Sequence, residues 1–443
     1  MTVEVGSGHI ALREPPDVLQ ATLAKAKWRI IPFLFLCFVV NYIDRSNVGF
    51  AKLHFQKELG FSDAVYGLGV SLFFVGYLLF EVPSNLLLAR IGARKTLSRI
   101  MILWGIASIA TMIVKTPLEF YLARFFIGVF EAGFVPGVIY FLSQWFPSTQ
   151  RARITSMFMV ALPISGFLSN PVSGWLMSNF DGLHGLAGWQ WLFFIEGLPS
   201  VILGGLAFFY LSDQPERANW LNDAEKHELA SALERDRRSS PKADHSFTET
   251  LRDGRIYGFA FCVFTQFFVA NVFAYWGPSI LRGSGIKDVA QLGLLNAIPF
   301  VVSTALMLLV SWHSDRKMER PKHAALGQML TIAGLLSLPM SYGSPALTVA
   351  CLAALASGHY VFWCVFWTIP PTYLSRAAAP GGIALILSLG STGGFFASNF
   401  LGWIRTSTGT LTLGFYAIAA LVALGTLTLL LVSPKLEGQR AAR

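Results

Sequence analysis

Twelve segments of about twenty mostly apolar residues constrain this chain more than any other feature of its sequence. A helix needs about 20 such residues to cross the hydrocarbon core of a bilayer, and it satisfies its own backbone hydrogen bonds there. The sequence therefore predicts twelve membrane-spanning helices. Their approximate bounds are 28–50, 64–89, 96–114, 118–145, 154–179, 190–211, 255–281, 292–313, 322–342, 347–374, 383–404 and 411–432.

The composition agrees with a surface that faces lipid. Charged residues make up 13% of the 443 residues and hydrophobic residues 54%, whereas a soluble domain carries charge on about a quarter of its residues. The net charge of +9 comes from short basic clusters between apolar stretches, without the aromatic–basic interleaving that binds RNA. We therefore expect the protein to contact the lipid bilayer and not to bind nucleic acid.

The spans fall into two groups of six, with a polar segment between them. Weak symmetry between two such halves is typical of transporters. The expected units are an N-terminal tail, a first six-helix bundle, a central loop, a second six-helix bundle and a C-terminal tail, at 1–27, 28–211, 212–254, 255–433 and 434–443. In the central loop, Asn222 and Glu225 have the spacing of a capping box, which predicts a helix there.

The charge of the loops predicts the orientation. When residues at the ends of the spans are counted with the neighbouring loop, the even-numbered loops and both tails carry 26 of the 34 lysines and arginines. The odd-numbered loops carry 6, and Arg45 and Arg124 lie inside spans. Positively charged loops stay in the cytoplasm. Both termini are therefore expected to be cytoplasmic.

The sequence carries no motif for catalysis or for a bound cofactor. The four cysteines lie in apolar segments and form no CxxC pair, which argues against a disulfide framework or a zinc site. HExxH, GxSxG and paired histidines are absent from the sequence. We expect no enzyme activity, no metal and no cofactor.

Four charged residues inside the predicted spans of the first bundle stand out: Asp44, Arg45, Arg124 and Glu131. A charge at the bilayer centre costs at least ~2.5 kcal/mol, so such a residue is a functional candidate by default. Arg124 and Glu131 share one helix face and lie about 10 Å apart along the axis. At that distance the two cannot pair directly without a third group, and Asp44 of the first span is predicted to be that group. A carboxylate near an arginine can bind and release a proton. The alternative is a static ion-pair network that locks the helices together.

Arg45 follows Asp44, so the two side chains point about 100° apart around the helix. The planar guanidinium of Arg45 matches the two oxygens of a carboxylate, which predicts an anchor for an acidic substrate. The alternative is an arginine that reaches the outer membrane interface.

The second bundle has no comparable group of buried charges. It offers polar side chains at Asn271, Thr368 and Asn399, for which a substrate and the neighbouring helices are both possible partners. His359 is expected to form a hydrogen bond with another helix, and a proton relay is the alternative.

Two stretches resemble a known family. Residues 41–51 (NYIDRSNVGFA), and residues 131–137 (EAGFVPG) with 145–147 (WFP), are similar to signatures of the anion:cation symporter family within the major facilitator superfamily. The resemblance covers nearly the whole chain after the tail. It implies an all-α membrane protein in which twelve transmembrane helices form two six-helix bundles. It also implies import of a small organic anion, such as a sugar acid, tartrate or an aromatic carboxylate, across the bacterial inner membrane.

The resemblance also implies roles for residues. It makes Asp44 and Glu131 the protonation sites, with Arg124 as the bridge between them. Around the substrate it places Arg45, Tyr77, Trp367, Thr368 and Asn399. With Asn271, these residues form the predicted binding site of a proton-coupled symporter that acts as a monomer. A uniporter or exchanger without proton coupling is the alternative.

The loop after the second span is similar to the superfamily's gating motif. Ala89 stands where the motif has an aspartate, so the first half lacks that acid. The loop after the eighth span lies 226 residues further on and keeps an Asp-Arg pair. The predicted gating residues are Arg90, Arg94, Asp315 and Arg316.

Overall fold

The computed structural model describes residues 18–239, 253–317, 319–370 and 379–433. In these residues the regular secondary structure is helical, and no β-strand occurs in them. The helices of the first half are α1 (Val18–Ser46), α2 (Val48–Leu59), α3 (Asp63–Ile91), α4 (Ala93–Ala110), α5 (Pro117–Glu131), α6 (Phe134–Trp145), α7 (Ser148–Met159), α8 (Ala161–Asn179), α9 (Gly188–Tyr210) and α10 (Asp223–Ser239). Those of the second half are α11 (Gly254–Tyr275), α12 (Gly277–Gly283), α13 (Val289–Lys317), α14 (Arg320–Ser337), α15 (Pro345–Phe366), α16 (Ala379–Thr408) and α17 (Thr412–Val432).

The predicted spans correspond to these helices. Eleven described stretches are long and apolar enough to cross a membrane, and they match the second to the twelfth predicted span. The first predicted span is α1, whose apolar run also carries Asp44 and Arg45. Predicted span 10 reached residue 374, but α15 ends at Phe366, and residues 371–374 lie outside the described part of the chain. Pro370 follows the end of this helix. A proline has no backbone N–H to donate, so it does not continue a helix.

The fourth span is broken directly after Glu131. Helix α5 ends at this residue, and Gly133 has φ = 90° before α6 begins. A Cβ atom at Gly133 would lie 2.7 Å from the Ser84 hydroxyl oxygen, so both the backbone conformation and the space favour glycine. The break places Glu131 at a helix end, inside the bundle.

The two bundles approach each other closely on one side of the molecule. We call the side where α1 begins and α17 ends the near side, and the opposite side the far side. A Cβ atom at Gly67 of α3 would lie 2.4 Å from the Ser398 carbonyl oxygen of α16. One at Gly174 of α8 would lie 2.7 Å from the Val289 carbonyl oxygen of α13. Both contacts lie in the far half, where small residues let the helices touch.

The near halves of the same helices are exposed. On α3, Tyr66 and Val70 of the far half are fully buried, whereas Val82 of the near half is 65% exposed. On α13, Leu292 is fully buried and Leu309 is 62% exposed. This difference along each helix indicates that the bundles are closed against each other on the far side and separate towards the near side.

Helix α10 of the central loop packs on the first bundle. The predicted capping box is confirmed: Glu225 N–H donates to Asn222 Oδ1 at 2.8 Å, and Asn222 N–H donates to Glu225 Oε2 at 2.9 Å. The Lys25 ammonium also donates to Glu225, at 2.9 Å, and holds the pKa of that carboxyl below its usual value. Leu229 and Leu233 of α10 are buried in the core of the first bundle.

Candidate functional site

Asp44 lies in the last turn of α1 and is 1% exposed. Its carboxylate accepts hydrogen bonds from Trp104 Nε1 and from the Ser108 hydroxyl, each at 3.0 Å, and from the Ser200 hydroxyl. These donors belong to α4 and α9, so the hydrogen bonds of Asp44 are made with those two helices and not with α5. The position differs from the sequence prediction, which placed Asp44 beside Arg124 on the fourth span.

Arg45 forms the ion pair of this site. Its guanidinium donates to Glu131 Oε1 at the end of α5, and it also lies 5.0 Å from the ring centre of Phe73 and 5.4 Å from that of Tyr77. The Arg45 side chain is 29% exposed and that of Glu131 only 2%. Asp44 and Arg45 therefore face different helices, as their spacing predicted. Tyr77, which the resemblance placed around the substrate, lies beside Arg45.

Arg124 is the unusual member of the group. It is fully buried, and its three guanidinium nitrogens have no hydrogen-bond partner among the described residues. Its guanidinium carbon lies 5.2 Å from the same Phe73 ring that Arg45 contacts. The predicted bridge through Arg124 is thus absent from this conformation of the described chain, because Glu131 is bound by Arg45 and Asp44 by neutral donors.

A cavity of about 190 Å³ lies between the two bundles. Arg45, Tyr42 and Phe74 line it from the first bundle. The second bundle contributes mainly aromatic side chains, together with Gln266, Asn271 and His359. Sites for drug-sized ligands usually measure about 300–1,000 Å³, so this cavity fits a smaller molecule.

The polar groups of the second bundle bind one another. His359 Nδ1 lies 2.9 Å from Gln266 Oε1, which confirms the expected bond between helices. Because that oxygen accepts, His359 donates from Nδ1. Asn271 donates to the Phe267 carbonyl at 2.8 Å and accepts from the Ser398 hydroxyl.

Four of the predicted binding residues are not among those that line the cavity: Tyr77, Trp367, Thr368 and Asn399. The Thr368 hydroxyl donates to the Val365 carbonyl at 2.6 Å, and Trp367 packs on Trp363, with ring centres 5.7 Å apart. Asn399 lines a separate groove of about 570 Å³ together with Phe396 and Trp403. Because these two aromatic side chains are 52% and 59% exposed, the groove faces the surroundings of the protein, and the position does not support a substrate contact for Asn399.

The gating loops also differ from the motif. The Arg94 backbone N–H donates to Asp213 Oδ1 at 2.8 Å, so an acid from the start of the central loop contacts the first gating loop. Arg90 is exposed, and Arg316 stacks on the Trp312 ring at 3.7 Å. The side chain of Asp315 lies outside the described part of the structure.

The sequence reasoning missed Glu196, a further acid within a span. Glu196 lies on α9 and is 4% exposed. Oε1 of its carboxyl group accepts from the Ser173 hydroxyl at 2.7 Å. The rule that singled out Asp44, an ionisable residue inside an apolar span, applies equally to Glu196.

A second missed group joins the bundles on the far side. Lys52 Nζ lies 2.7 Å from Asp63 Oδ1, and Arg405 of the second bundle lies 3.3 Å from Asp63 Oδ2. The Lys52 ammonium also lies 3.4 Å from the ring centre of Trp276. No sequence signal indicated this group, because Asp63 and Arg405 are far apart in the chain.

Comparisons with known proteins agree with this architecture. The chain is 40% identical over 429 residues to a putative tartrate transporter of Agrobacterium vitis, covering 96% of this chain and 95% of the relative. It is 36% identical over 427 residues to a quinolone resistance transporter of Acinetobacter baumannii, covering 96% and 98%. The crystal structure of a D-xylose–proton symporter superposes with a TM-score of 0.74 at 15% identity, covering 92% of this chain and 98% of that one.

The family is established by a match along most of the sequence. Residues 34–398 match the model of the Major Facilitator Superfamily. The predicted fold class, two six-helix bundles that span the membrane, is confirmed by this match and by the structural similarity. The chain is therefore a multi-pass membrane transporter that belongs to the Major Facilitator Superfamily.

Proposed function

We propose that this protein imports a small organic anion together with protons across the bacterial inner membrane. The observation that carries the proposal is Arg124, a buried cation with no hydrogen-bond partner among the described residues. Leaving an ion unpaired in a protein interior costs several kcal/mol. A carboxylate offers a guanidinium two charge-assisted hydrogen bonds, so an organic acid would relieve this cost.

Arg45 supplies a second anion site that depends on Glu131. In this conformation the Arg45 guanidinium is engaged in an ion pair with Glu131. Protonation of Glu131 would remove its negative charge and release Arg45 for the substrate. Both guanidiniums lie about 5 Å from the centre of the Phe73 ring. Arg45 lines the cavity, and a substrate would reach Arg124 after a rearrangement of the side chains around Phe73. Proton binding and substrate binding would then favour each other, as coupling requires.

The name of a relative supports the substrate class. A putative tartrate transporter is 40% identical to this chain, and tartrate carries two carboxylates and two hydroxyl groups. The cavity of about 190 Å³ suits an acid of this size. Asn271 and Gln266 are the cavity residues whose amides would serve as partners for hydroxyl groups.

The two bundles would alternate the access to this site. With the basic loops in the cytoplasm, the near side and both termini are cytoplasmic. The far side, closed by the packing of α3 on α16 and of α8 on α13, is then periplasmic. We infer an inward-facing conformation of a monomer, from which the substrate leaves into the cytoplasm.

Binding to the Arg124→Gln variant tests the proposal. Each hydrogen bond to a charged group contributes about 1.5–3 kcal/mol, so losing the guanidinium should weaken tartrate binding at least about tenfold. The matched control is Arg29→Gln, because Arg29 also contacts an aromatic ring. Its guanidinium carbon lies 4.4 Å from the centre of the Tyr210 ring. Thermal-shift titration of the purified protein measures both, with a sugar acid, phthalate and a quinolone alongside tartrate.

Two results would contradict the proposal. One is unchanged binding of every acid by Arg124→Gln. The other is a quinolone that binds to wild-type protein while the organic acids do not, which would favour the activity named for the Acinetobacter relative. A uniporter or exchanger of organic anions would bind the acids but move no protons during transport.

A further inference from the structure

The proposed mechanism assigns no role to Glu196, a buried acid of the first bundle. Glu196 Oε1 accepts from the Ser173 hydroxyl at 2.7 Å. Its other oxygen, Oε2, is buried and has no hydrogen-bond partner among the described residues. The charged group that acts on Glu196 is another acid, Asp44. A carboxylate in this position lacks the compensation that a buried charge needs, so the surroundings of Glu196 favour its protonated form.

Asn47 lies beside Glu196, close enough for its amide group to act on the Glu196 carboxyl group. It is 1% exposed, and in this conformation neither its amide oxygen nor its amide nitrogen makes a well-formed hydrogen bond among the described residues. An amide can accept a hydrogen bond at one end and donate one at the other. By turning over, the Asn47 amide can accept from a protonated Glu196 or donate to an ionised one.

The geometry connects Glu196 with Asp44. Ser200 lies one turn after Glu196 on α9, and its hydroxyl donates to Asp44 Oδ2. Asp44 in turn lies three residues before Asn47, at the junction of α1 and α2. The pairs Asn47–Glu196 and Asp44–Ser200 therefore form two successive contacts between α1 and α9, about 6 Å apart along α9. Since α9 begins on the far side, Glu196 lies between that side and Asp44.

We propose that Glu196 is a second proton-binding site, which exchanges its proton with Asp44 during the transport cycle. The inference rests on the proposed proton coupling and deepens it. In the exchange, the Glu196 carboxyl loses one proton and the Asp44 carboxylate gains one, so the net charge of the bundle is unchanged. The Ser200 hydroxyl, a donor and an acceptor, lies on the path between them.

Among the groups packed against α9, Asp44 is the one that can exchange a proton with Glu196. Helix α4 contributes Trp104 and Ser108, which bind Asp44, and α8 contributes Ser173. Helix α2 contributes His54 and Glu58, which lie about two or more turns beyond Asn47 towards the far end. Glu58 is held there by Trp189 Nε1 at 2.7 Å.

Infrared spectroscopy of the full-length protein tests the protonation state directly. At pH 7 the wild type should show the C=O band of a protonated carboxyl group, and Glu196→Gln should lose it. Glu58→Gln, an equal change on α2, should keep it. A wild type without the band, or a Glu196→Gln variant that retains it unchanged, would overturn the proposal. If Glu196→Gln does not fold, Glu196→Asp is measured instead. The proposal requires this variant to show the C=O band of a protonated carboxyl group, and its absence would overturn the proposal.

Transport of tartrate in proteoliposomes tests the exchange with Asp44. Glu196→Gln should accumulate tartrate at least about tenfold less under a pH gradient, the loss expected for a proton-transfer group, and should keep tartrate counterflow. Full accumulation by the variant would overturn the proposal, as would accumulation that follows a Na⁺ gradient. If the wild type does not transport tartrate, the proposed substrate is refuted, and the infrared result still decides the role of Glu196.

Discussion

At the scale of single residues, the site is asymmetric. Two arginines contact the same aromatic ring, but Arg45 has Glu131 as its counter-ion, whereas Arg124 has no hydrogen-bonding partner among the described residues. The spacing of Arg124 and Glu131 correctly predicted that they share a helix face. It could not predict which arginine binds the acid, because that depends on how α1 rotates against α5.

The stability of Arg45 variants tests this pairing. Arg45→Ala leaves Glu131 buried without its cation, and breaking a buried ion pair from one side costs about 3–5 kcal/mol. Adding Glu131→Gln removes the unpaired charge. We therefore expect the double variant to unfold at a higher temperature than Arg45→Ala alone, when both are measured by thermal unfolding in detergent at pH 7. Additive losses of stability would show that the two side chains do not interact.

At the scale of helices, close contacts between glycines and backbone carbonyls close the far side. Gly67→Ala would put a Cβ atom 2.4 Å from the Ser398 carbonyl oxygen, so α3 and α16 must separate. Gly205→Ala is the matched control, because nothing lies within 4 Å of the added Cβ atom on α9. We expect Gly67→Ala to populate a conformation that is open on the far side.

Distances between spin labels measure this opening. Lys57 of α2 and Ser407 of α16 are both exposed on the far side and can carry labels once the exposed Cys364 is replaced by Ser. A longer distance in Gly67→Ala, with no change in Gly205→Ala, is the expected result. Identical distributions in the two variants would show that the contact does not control closure.

At the scale of the whole molecule, an ionic group links the bundles on the closed side. Asp63 lies between Lys52 and Arg405, at 2.7 and 3.3 Å, and the Lys52 side chain is only 3% exposed. The contacts of this group with Arg405 and Trp276 of the second bundle can form only when the far sides of the bundles meet. The group therefore stabilises the conformation that is closed on the far side relative to one that is open there.

Replacing Asp63 should shift the balance between these conformations. Asp63→Asn leaves Lys52 buried without its counter-ion, at a cost of about 3–5 kcal/mol, enough to change the ratio of the two states at least about a hundredfold. The labels at Lys57 and Ser407 should then report the far-open distance as the major population. Asp288→Asn, at the start of another far-side helix, should leave the distance unchanged. An unshifted distribution in Asp63→Asn would contradict this role.

The sequence predicted the fold better than the site. Apolar length determines the spans, so each predicted span corresponds to a helix, although some bounds differ by eight or more residues, as at the start of the first span and the end of the tenth. Charge inside a span singled out Asp44, Arg45, Arg124 and Glu131. In the structure Arg45 pairs with Glu131 and shares the Phe73 ring with Arg124, whereas Asp44 is bound by α4 and α9. Partners were predicted poorly because they depend on contacts between helices: Asn399 faces outwards, although its sequence context resembles that of a binding residue.

The most direct test of the central claim is to record proton and anion uptake together in proteoliposomes that contain wild type or Glu131→Gln. With tartrate added outside, the account predicts that wild type takes up protons with the anion and accumulates it under a pH gradient. Glu131→Gln should keep tartrate exchange and lose both proton uptake and accumulation. Uphill tartrate uptake by Glu131→Gln, or wild-type transport without proton movement, would contradict the claim.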